Sequence, residues 1–334
     1  MKSDLTINEI AKALNLSRNT VSKVINGKPG VSRKTQDLVR KYMYEISHRE
    51  TDPAASESSA PSSFVIFTCL FDNSEYYNNV LKGLESVLRK NGYILILNIV
   101  QNMQEYIPMP SNLTNGNICG VITFNVFNRP YWENVVSLGI PTVFIDAFYD
   151  LEFSDKTDII AIEGCRPVRL LARELIKKGK KTFGYIGDKL FCYSTYQRWR
   201  ALKDVLSEHG LMLDDRYCHY DDRSGTRPDT IERALSKIDQ LPEVFFCSSD
   251  HYAVVLQNVL QSRGYRIPED ISIIGFDNLS EGQYQNPPVT TVDCHSYYLG
   301  ELAARRLLRR MNEPELMHEV ILCQSDIIRR GSSV

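Results

Sequence analysis

The sequence predicts an α/β protein in two parts, a small all-α head at the amino terminus and a larger two-lobed part built on doubly wound parallel sheets. Residues 5–26 carry apolar positions at helical spacing in two short runs separated by a tight turn. From Phe64 onward, short apolar runs alternate with longer amphipathic ones, as strands and helices do in a parallel sheet. Between the two parts, residues 47–63 are polar, small and broken by proline, which is typical of a flexible linker.

Three short helices are predicted in the head. Thr6, Ser17 and Ser32 stand where hydroxyl side chains can cap their first turns. The third helix runs to about Ile46. The residues predicted to form the core of the head are Ile7, Ile10, Ala11, Leu14, Val21, Val24, Ile25, Leu38, Val39, Tyr42, Met43 and Ile46.

The exposed face of the second helix carries the chemistry of a DNA reader. Arg18, Asn19, Ser22 and Lys23 lie at the start of that helix, where a helix-turn-helix presents side chains to the major groove. Arginine pairs with guanine and asparagine with adenine through two hydrogen bonds each. A small solvated helical hairpin would show the same local pattern, so the motif leaves that alternative open.

Charge favours the DNA-binding interpretation. Residues 1–49 contain ten lysines and arginines against four acidic residues, a net charge of +6, and the rest of the chain has a net charge of −8. Positive charge is therefore concentrated where contacts with phosphates would be needed.

The signature TVSxVxNGxxxVSxxT of the LacI/GalR family of bacterial repressors is almost unbroken in this chain. Residues 20–27 and 31–35 carry this signature. The head therefore resembles the DNA-binding domain of that family. The helix faces and the resemblance together predict contacts with double-stranded operator DNA. The predicted DNA-binding residues are Thr6, Ser17, Arg18, Asn19, Thr20, Ser22, Lys23, Asn26, Lys28, Ser32 and Thr35.

The linker departs from the family pattern. The resemblance implies a hinge helix of approximate pattern YxPNxxAxxL, whose leucine wedges into the minor groove. His48, Glu50 and Glu57 replace the tyrosine, proline and leucine of that pattern. A carboxylate cannot replace an apolar wedge between base steps without a large desolvation and repulsion cost. We therefore expect operator binding that relies on the helix-turn-helix, on dimer geometry and on phosphate contacts.

Composition bounds the remaining classes of protein. The chain of 334 residues is 43% hydrophobic and 24% charged, and it has no run of apolar residues long enough for a membrane span. Its eight cysteines are scattered without a CxxC or a zinc-ligand spacing, so we expect free thiols in the cytoplasm. No phosphate-binding loop, nucleophile elbow or metal spacing is present, and we expect neither an enzyme nor a cofactor.

The two-lobed part resembles the periplasmic sugar-binding-protein fold that the family uses as a sensor. The predicted domains are a head at 1–47, a linker or degenerate hinge at 48–63 and the two-lobed part at 64–334. The predicted lobes comprise about 64–160 plus 279–295, and 161–278 plus 296–334. Near the end of the chain, Arg305, Arg306, Arg309 and Arg310 are predicted to form a solvated basic helix face.

Ligands of open parallel sheets bind beyond the carboxyl ends of the strands, where Asp250 and Asp277 are predicted to lie. A carboxylate there can accept hydrogen bonds from sugar hydroxyls. Residues 268–278 resemble the family segment PEDVSVIGFDN, and Ser249-Asp250 stands at the family's ND motif. The resemblance implies that this edge faces an effector, although Asp250 could instead cap its own helix.

Four more residues complete the predicted effector site. Arg198 lies in a segment that resembles SxxRxxGF, whose arginine binds effector hydroxyls or a carboxylate. A surface salt bridge is the alternative for it, and packing is the expected role of Trp199. Tyr76 and Tyr77 follow Ser74-Glu75 where the family has NPFF, and Asp146 keeps the family's strand-end aspartate.

These observations predict a LacI-type transcriptional regulator, a repressor that binds a two-fold operator as a homodimer and is controlled by a small effector, a sugar or sugar derivative. The competing hypothesis is a metabolite-binding module whose DNA binding has decayed with its hinge. The degenerate linker favours that second hypothesis, and the intact segment from Arg18 to Ser22 favours the first.

Overall fold

The computed structural model describes residues 7–25, 31–32, 35–36, 38–39, 63–70, 74–101, 107–110, 113, 118–220 and 228–334. The chain divides into two compact units, residues 1–61 and 62–334. The linker predicted at 48–63 lies outside the described residues except for Ser63, which begins a strand. In the described part of the chain, no helix has the length and apolar character needed to cross a membrane.

The head contains the predicted helix-turn-helix. Its first two helices are α1 (Ile7–Ala13) and α2 (Arg18–Ile25). Residues 35–36 and 38–39 are also helical and belong to the predicted third helix, whose part from 40 to 46 lies outside the described residues. The buried residues of this unit are Ile10, Ala11, Val21, Val24 and Val39, with Leu14, Leu16 and Val31 packed against them.

Two residues predicted for this small core are exposed instead. Ile25 is 40% exposed and Leu38 is 46% exposed. Ile25 is the last residue of α2, one position beyond the buried Val24. Leu38 immediately precedes the buried Val39, and neighbouring helical residues point about 100° apart, so only one of them can face so small a core.

The larger unit alternates strands and helices along the chain. Its strands are β1 (Ser63–Leu70), β2 (Tyr93–Val100), β3 (Ile118–Phe124), β4 (Thr142–Ile145), β5 (Asp158–Ile162), β6 (Phe183–Ile186), β7 (Cys218–His219), β8 (Val244–Cys247), β9 (Ser272–Ile274), β10 (Thr291–Asp293), β11 (Val320–Cys323) and β12 (Asp326–Ile328). Its helices are α3 (Glu75–Lys90), α4 (Arg129–Ser137), α5 (Cys165–Lys177), α6 (Tyr193–Glu208), α7 (Pro228–Leu235), α8 (Asp250–Ser262), α9 (Ser280–Gln283) and α10 (Ser296–Asn312).

Each lobe is built on a parallel sheet, which confirms the predicted fold class. The first lobe has six strands in the order β11-β5-β4-β3-β1-β2, and the second has four in the order β7-β6-β8-β9. A separate antiparallel pair joins β10 to β12. Apolar side chains on the faces of the sheets pack against the helices in three clusters of buried residues.

Two segments lie in the opposite lobe from the one predicted. Helix α10 packs along α3 and strand β11 pairs with β5, so both belong to the first lobe. Gly83 and Gly300 permit this packing, because a Cβ on either would lie about 2 Å from a carbonyl oxygen of the other helix. Helix α9, which was predicted to belong to the first lobe, packs on α8 in the second lobe. The amphipathic pattern of a helix shows which face is buried but does not show which sheet covers it.

The chain crosses between the lobes near residues 163, 295 and 325, and these crossings are bonded to one another. The Glu163 N–H donates to the carbonyl of Cys323 at 2.8 Å, and the Ser325 hydroxyl donates to the carbonyl of Glu163 at 2.8 Å. The ring Nε2 of His295 lies 2.9 Å from Oδ2 of Asp326. The three crossings therefore form a single bonded hinge region.

Of the four arginines predicted to form a solvated face of α10, two are exposed and two are buried. Arg305 and Arg309 are exposed and lie near Glu301 and Glu313 on the same helix. Arg306 and Arg310 are buried instead, because both bind the buried carboxylate of Asp158 at the start of β5. Their distances to that carboxylate are 2.7 and 2.9 Å. This cluster fixes α10 to the first lobe.

Candidate functional site

The second helix of the head exposes the side chains predicted to read bases. Arg18 and Asn19 are exposed in the first turn of α2, and Thr20, Ser22 and Lys23 are half-buried. The opposite face, which carries Val21 and Val24, is buried against α1 and the third helix. The face that remains accessible thus combines a cation, an amide and hydroxyls, the groups that recognise base edges and phosphates.

Hydroxyl pairs begin two helices of the head. The Ser17 Oγ accepts from the Thr20 N–H at 3.0 Å and lies 2.8 Å from the Thr20 Oγ1. The Ser32 Oγ repeats this arrangement with Thr35, at 3.3 Å and 2.8 Å. These bonds hold the hydroxyls at helix N-termini, where phosphates can be bound. The other predicted DNA-binding residues, Thr6, Asn26 and Lys28, lie outside the described residues.

A cavity of about 680 Å³ lies between the lobes of the larger unit. Its first-lobe lining comprises Leu70, Ser74, Tyr76, Gln101, Phe124, Asn125, Ile145, Asp146, Ile160, Ala161, Ile162 and Leu299. Its second-lobe lining comprises Asp188, Phe191, Cys192, Thr195, Arg198, Ser248, Ser249, His251, Tyr252, Asp277 and Leu279. Five of the predicted effector-binding residues are among these, namely Tyr76, Asp146, Arg198, Ser249 and Asp277.

Arg198 is the central cation of this cavity. The side chain projects from the second turn of α6 and is only 6% exposed. Its Nη1 donates to the carbonyl of Ser248 at 2.6 Å, and its guanidinium carbon lies 3.5 Å from the centroid of the Phe276 ring. Among the described residues its Nε–H has no hydrogen-bond partner. The guanidinium is thus held in place while it retains donors for a ligand.

Two aspartates at strand ends supply acceptors from opposite lobes. Asp146 follows β4 and Asp277 lies beyond β9, and their φ angles are +64° and +100°. Residues other than glycine rarely adopt these left-handed values, so the surrounding structure must hold them there. The Asp146 Oδ1 accepts from the N–H groups of Ala147 and Ser194 at 2.8 and 3.2 Å. The first lobe is thereby bonded to the start of α6 at the floor of the cavity.

Tyr76 and Tyr77 have different environments. Tyr76 lines the cavity and stacks on Phe124 with ring centroids 5.9 Å apart. Burial, followed by the nearby Cys294 and Asp277, raises the pKa of its hydroxyl well above the ordinary value, so the hydroxyl remains a donor. Tyr77 points instead into the core of the first lobe, where its hydroxyl accepts from the Cys69 thiol. It does not reach the cavity, because consecutive residues of a helix point in different directions and Tyr77 faces the sheet.

Asp250 also lies behind the cavity wall and not in it. Its carboxylate is fully buried and accepts from the Leu279 N–H at 2.7 Å and from the Thr291 hydroxyl at 2.6 Å. Burial raises the pKa of this carboxyl to about 7. The preceding residue, Ser249, begins α8 and faces the cavity. Asp250 is thus neither the ligand contact nor the helix cap that the sequence suggested, and it fixes the wall that carries Leu279.

Several lining residues were not predicted. Asn125 directly follows β3 and Asp188 lies two residues beyond β6, so the strand-end rule that selected Asp277 would also have selected them. Phe124 and Phe191 give the cavity aromatic walls. Trp199 is absent from the lining and packs as expected, with its Nε1 donating to the Tyr220 hydroxyl at 3.2 Å. The cavity therefore combines apolar and aromatic walls with donors and acceptors from both lobes.

The described residues contain no group of three histidine, cysteine, aspartate or glutamate side chains placed to hold a metal ion. All eight cysteines are free thiols. Burial raises the pKa of several of them, Cys192 in the cavity wall among these. The cavity is thus equipped for binding a small molecule by hydrogen bonds and apolar contact.

Comparison with known proteins assigns a family to both units. Residues 6–49 match the family described as bacterial regulatory proteins, lacI family, and residues 172–333 match the periplasmic binding protein-like domain. The chain is 26% identical to a ribose operon repressor of Haemophilus influenzae over 98% of both chains. It is also 26% identical to catabolite control protein A of Staphylococcus epidermidis, over 98% of this chain and 99% of the relative.

Solved structures share the same fold over the whole chain. A lac repressor dimer bound to operator and the anti-inducer ONPF covers 99% of this chain at 19% identity, with a TM-score of 0.70. A complex of the transcriptional regulator CelR with cellobiose covers 99% of this chain at 19% identity, with a TM-score of 0.69. Both solved chains are covered completely. The chain thus combines a head of the lacI family of bacterial regulatory proteins with a periplasmic binding protein-like domain.

Proposed function

We propose that this regulator is a repressor whose affinity for a two-fold operator is set by a small effector, a sugar or sugar derivative, bound between the two lobes. The observation that carries the proposal is the buried Arg198, which lines the cavity beside the acceptor Asp277 and whose Nε–H has no hydrogen-bond partner among the described residues. The guanidinium can donate to the oxygen of one ligand hydroxyl, and the carboxylate can accept from a neighbouring hydroxyl. As a DNA-binding regulator, the protein would act in the cytoplasm.

A sugar suits both the walls and the polar groups of the cavity. Phe124 and Phe191 offer flat apolar faces, while Asp146, Arg198 and Asp277 offer bonds to hydroxyls. The names of two similar proteins concern sugars, the ribose operon repressor and the CelR complex with cellobiose. The volume of about 680 Å³ lies in the range of small-ligand sites.

The effector would act by shifting the population of lobe arrangements. A ligand that contacts Asp146 in the first lobe and Arg198 in the second makes all of its contacts only when the lobes are close together. Such a ligand stabilises the closed arrangement by its difference in affinity for the two states. The spacing of the two DNA-binding heads in a dimer would then change with the lobes.

The second subunit of this proposed dimer would pack against the edge strand β2. This strand ends the six-stranded sheet and exposes Ile94, Leu97 and Ile99, which are 44% to 48% exposed. An apolar edge of this kind requires a cover, and the similar lac repressor structure is a dimer. Leu97→Glu should give monomers in sedimentation experiments, whereas the exposed Met212→Glu, on the second lobe, should leave dimers.

A screen of neutral mono- and disaccharides by thermal shift tests the effector. The proposal expects at least one sugar to raise the melting temperature of the parent protein more than that of Arg198→Ala at the same sugar concentration. Equal stabilisation of both proteins by the same sugar would place its site outside this cavity. The absence of any stabilising sugar, with stabilisation by another class of metabolite, would remove the sugar from the proposal.

The second candidate is a metabolite-binding module with weak or decayed DNA binding. Glu57, which stands where the family pattern has a minor-groove leucine, is the observation that favours it. Both candidates require the cavity, so ligand binding alone does not separate them. Recovery of a specific DNA site does, because only the regulator needs the exposed face of α2.

A further inference from the structure

One carboxylate bridges the two lobes beside the cavity. Glu75 begins α3 in the first lobe, and Ser280 begins α9 in the second. The Ser280 N–H donates to Oε2 of Glu75 at 2.8 Å, and the Ser280 hydroxyl donates to Oε1 at 3.0 Å. Both oxygens of one carboxylate are therefore bonded by one residue of the opposite lobe, 205 positions away in the sequence.

The bridge is continuous with the cavity wall on both sides. Ser74 and Tyr76 flank Glu75 and line the cavity, and Leu279 precedes Ser280 and lines it as well. Glu75 itself is exposed and is not part of the lining. The bonded pair thus adjoins lining residues of both lobes.

Glu75 is also a departure from the family pattern. The resemblance places Ser74-Glu75-Tyr76-Tyr77 at the family's NPFF, so Glu75 stands at the proline. A proline has no acceptor on its side chain and could not make this bridge. The contact is therefore a property of this chain and cannot be carried over from the pattern.

A second set of bonds also joins the lobes. The Tyr193 N–H donates to the carbonyl of Ala147 at 2.8 Å, and the Ser194 N–H donates to Oδ1 of Asp146 at 3.2 Å. These amides belong to the first turn of α6, where no helical carbonyl is available to them. Their protection from solvent exchange therefore reports whether the lobes are in contact.

We propose that Glu75 is a latch, a positioning residue that holds the lobes closed through Ser280 and so fixes the fraction of protein ready to bind effector. The inference rests on the proposed site between the lobes for its role in binding. The latch itself depends only on the hydrogen bonds between Glu75 and Ser280. Because a ligand binds only the competent fraction, loss of the latch should weaken apparent effector affinity without removing any ligand contact.

Either residue of the bridge can be replaced by proline without loss of a helical hydrogen bond. Glu75 and Ser280 each occupy the first position of a helix, where proline is well accommodated and its missing N–H costs no helical bond. The preceding residues, Ser74 and Leu279, have ψ angles of 155° and 147°, which suit a residue before proline. Glu75→Pro removes the acceptor, and Ser280→Pro removes both donors. Glu75→Gln is the conservative control, because its amide can still accept from the Ser280 N–H.

Backbone hydrogen exchange of the full-length, ligand-free protein tests the latch. Each proline variant should speed exchange at Tyr193 and Ser194 on the order of tenfold, since hydrogen bonds to a charged group contribute at least that factor. Glu75→Gln, which keeps a neutral hydrogen bond to the Ser280 N–H, should lie between the parent and the proline variants, and amides of β1 should be unchanged in all variants. The double proline variant should exchange no faster than either single one, because both remove the same bridge.

Faster exchange confined to residues 279–283, with Tyr193 and Ser194 at parental rates, would overturn the proposal, since it would make the contact purely local. If a proline variant also loses protection in β1, Glu75→Ala and Ser280→Ala provide the same comparison. The measurement uses neither effector nor DNA. Its failure would therefore leave the proposed effector untouched, and failure to find a sugar would leave the latch untouched.

Discussion

The guanidinium Nη2 of Arg198 lies 3.7 Å from Oδ1 of Asp277 at the floor of the cavity. The two side chains come from α6 and from the segment beyond β9, and neither is as exposed as a surface ion pair. Burial opposes the charge on Arg198, while Asp277 and other nearby groups raise its pKa. The pair is thus a charged, preorganised unit that faces a ligand instead of solvent.

Arg198→Ala should weaken the binding of a stabilising sugar about 10- to 100-fold, the range expected for loss of charged hydrogen bonds. Asp277→Ala should act in the same direction, and both variants should retain DNA affinity. The matched control is Arg200→Ala on the same helix, whose exposed side chain lies 3.8 Å from Asp204. Calorimetry measures the sugar affinity. Normal sugar response in both cavity variants would place the effector elsewhere.

The head makes a separate prediction about sequence readout. Arg18→Ala should reduce discrimination between specific and random DNA by about 1–3 kcal/mol, because a base-reading arginine would be lost. Lys28→Ala should weaken both kinds of DNA alike and lower the slope of affinity against salt by about one. Fluorescence anisotropy at several salt concentrations distinguishes the two effects. Equal loss on both DNAs with Arg18→Ala would contradict its assignment as a base reader.

Stability should depend on the buried cluster around Asp158. Although its burial opposes ionisation, hydrogen bonds from Arg310 and Arg306 lower the pKa of Asp158. Arg310→Ala would leave that carboxylate partly unpaired and should cost about 3–5 kcal/mol of unfolding free energy. Arg309→Ala, an exposed neighbour, should cost about 0.5 kcal/mol or less. Urea denaturation compares them, and similar losses in both variants would contradict the structural role of the cluster.

Asp250 predicts a pH dependence of stability. Burial raises its pKa from an ordinary value of 3.8 to about 7, so between these values the folded protein holds a proton that the unfolded chain releases. The resulting stabilisation is complete below about pH 4 and is lost as pH rises through about 7. Asp250→Asn keeps an acceptor for the Leu279 N–H and cannot titrate.

The unfolding free energy of the parent relative to Asp250→Asn should therefore fall between about pH 4 and pH 7, by up to about 4 kcal/mol over this interval. Urea denaturation across this interval measures the difference. Asp277 and Arg330 are the charged groups that act on this carboxyl, and both are present in the two proteins. A constant difference across the interval would show that Asp250 does not titrate there.

Local patterns and the family resemblance predicted many elements of the fold and five of the residues that line the cavity. The alternation of apolar and amphipathic runs predicted the alternating strands and helices of the larger unit, and the strand-end rule located Asp277. Long-range packing was beyond those patterns. The contact of Gly83 with α10 determines the lobe to which that helix belongs, and no local period encodes it.

The same limit explains the misplaced site residues. Tyr76 and Tyr77 are adjacent aromatics with equal chemistry, and only the orientation of α3 decides that one faces the cavity and the other the core. Asp250 follows a strand as a ligand-binding aspartate would, but the backbone of Leu279 folds over it. Arg306 and Arg310 matched a solvated pattern, and their burial depends on Asp158, about 150 residues earlier.

The most direct test of the central claim is selection of bound DNA from a random pool by the full-length protein at physiological salt, repeated with Glu57→Leu. The account predicts enrichment of a palindrome with two half-sites, and tighter binding to that site by Glu57→Leu because an apolar wedge is restored. Absence of an enriched site with either protein would contradict a DNA-binding regulator and would favour the metabolite-binding module.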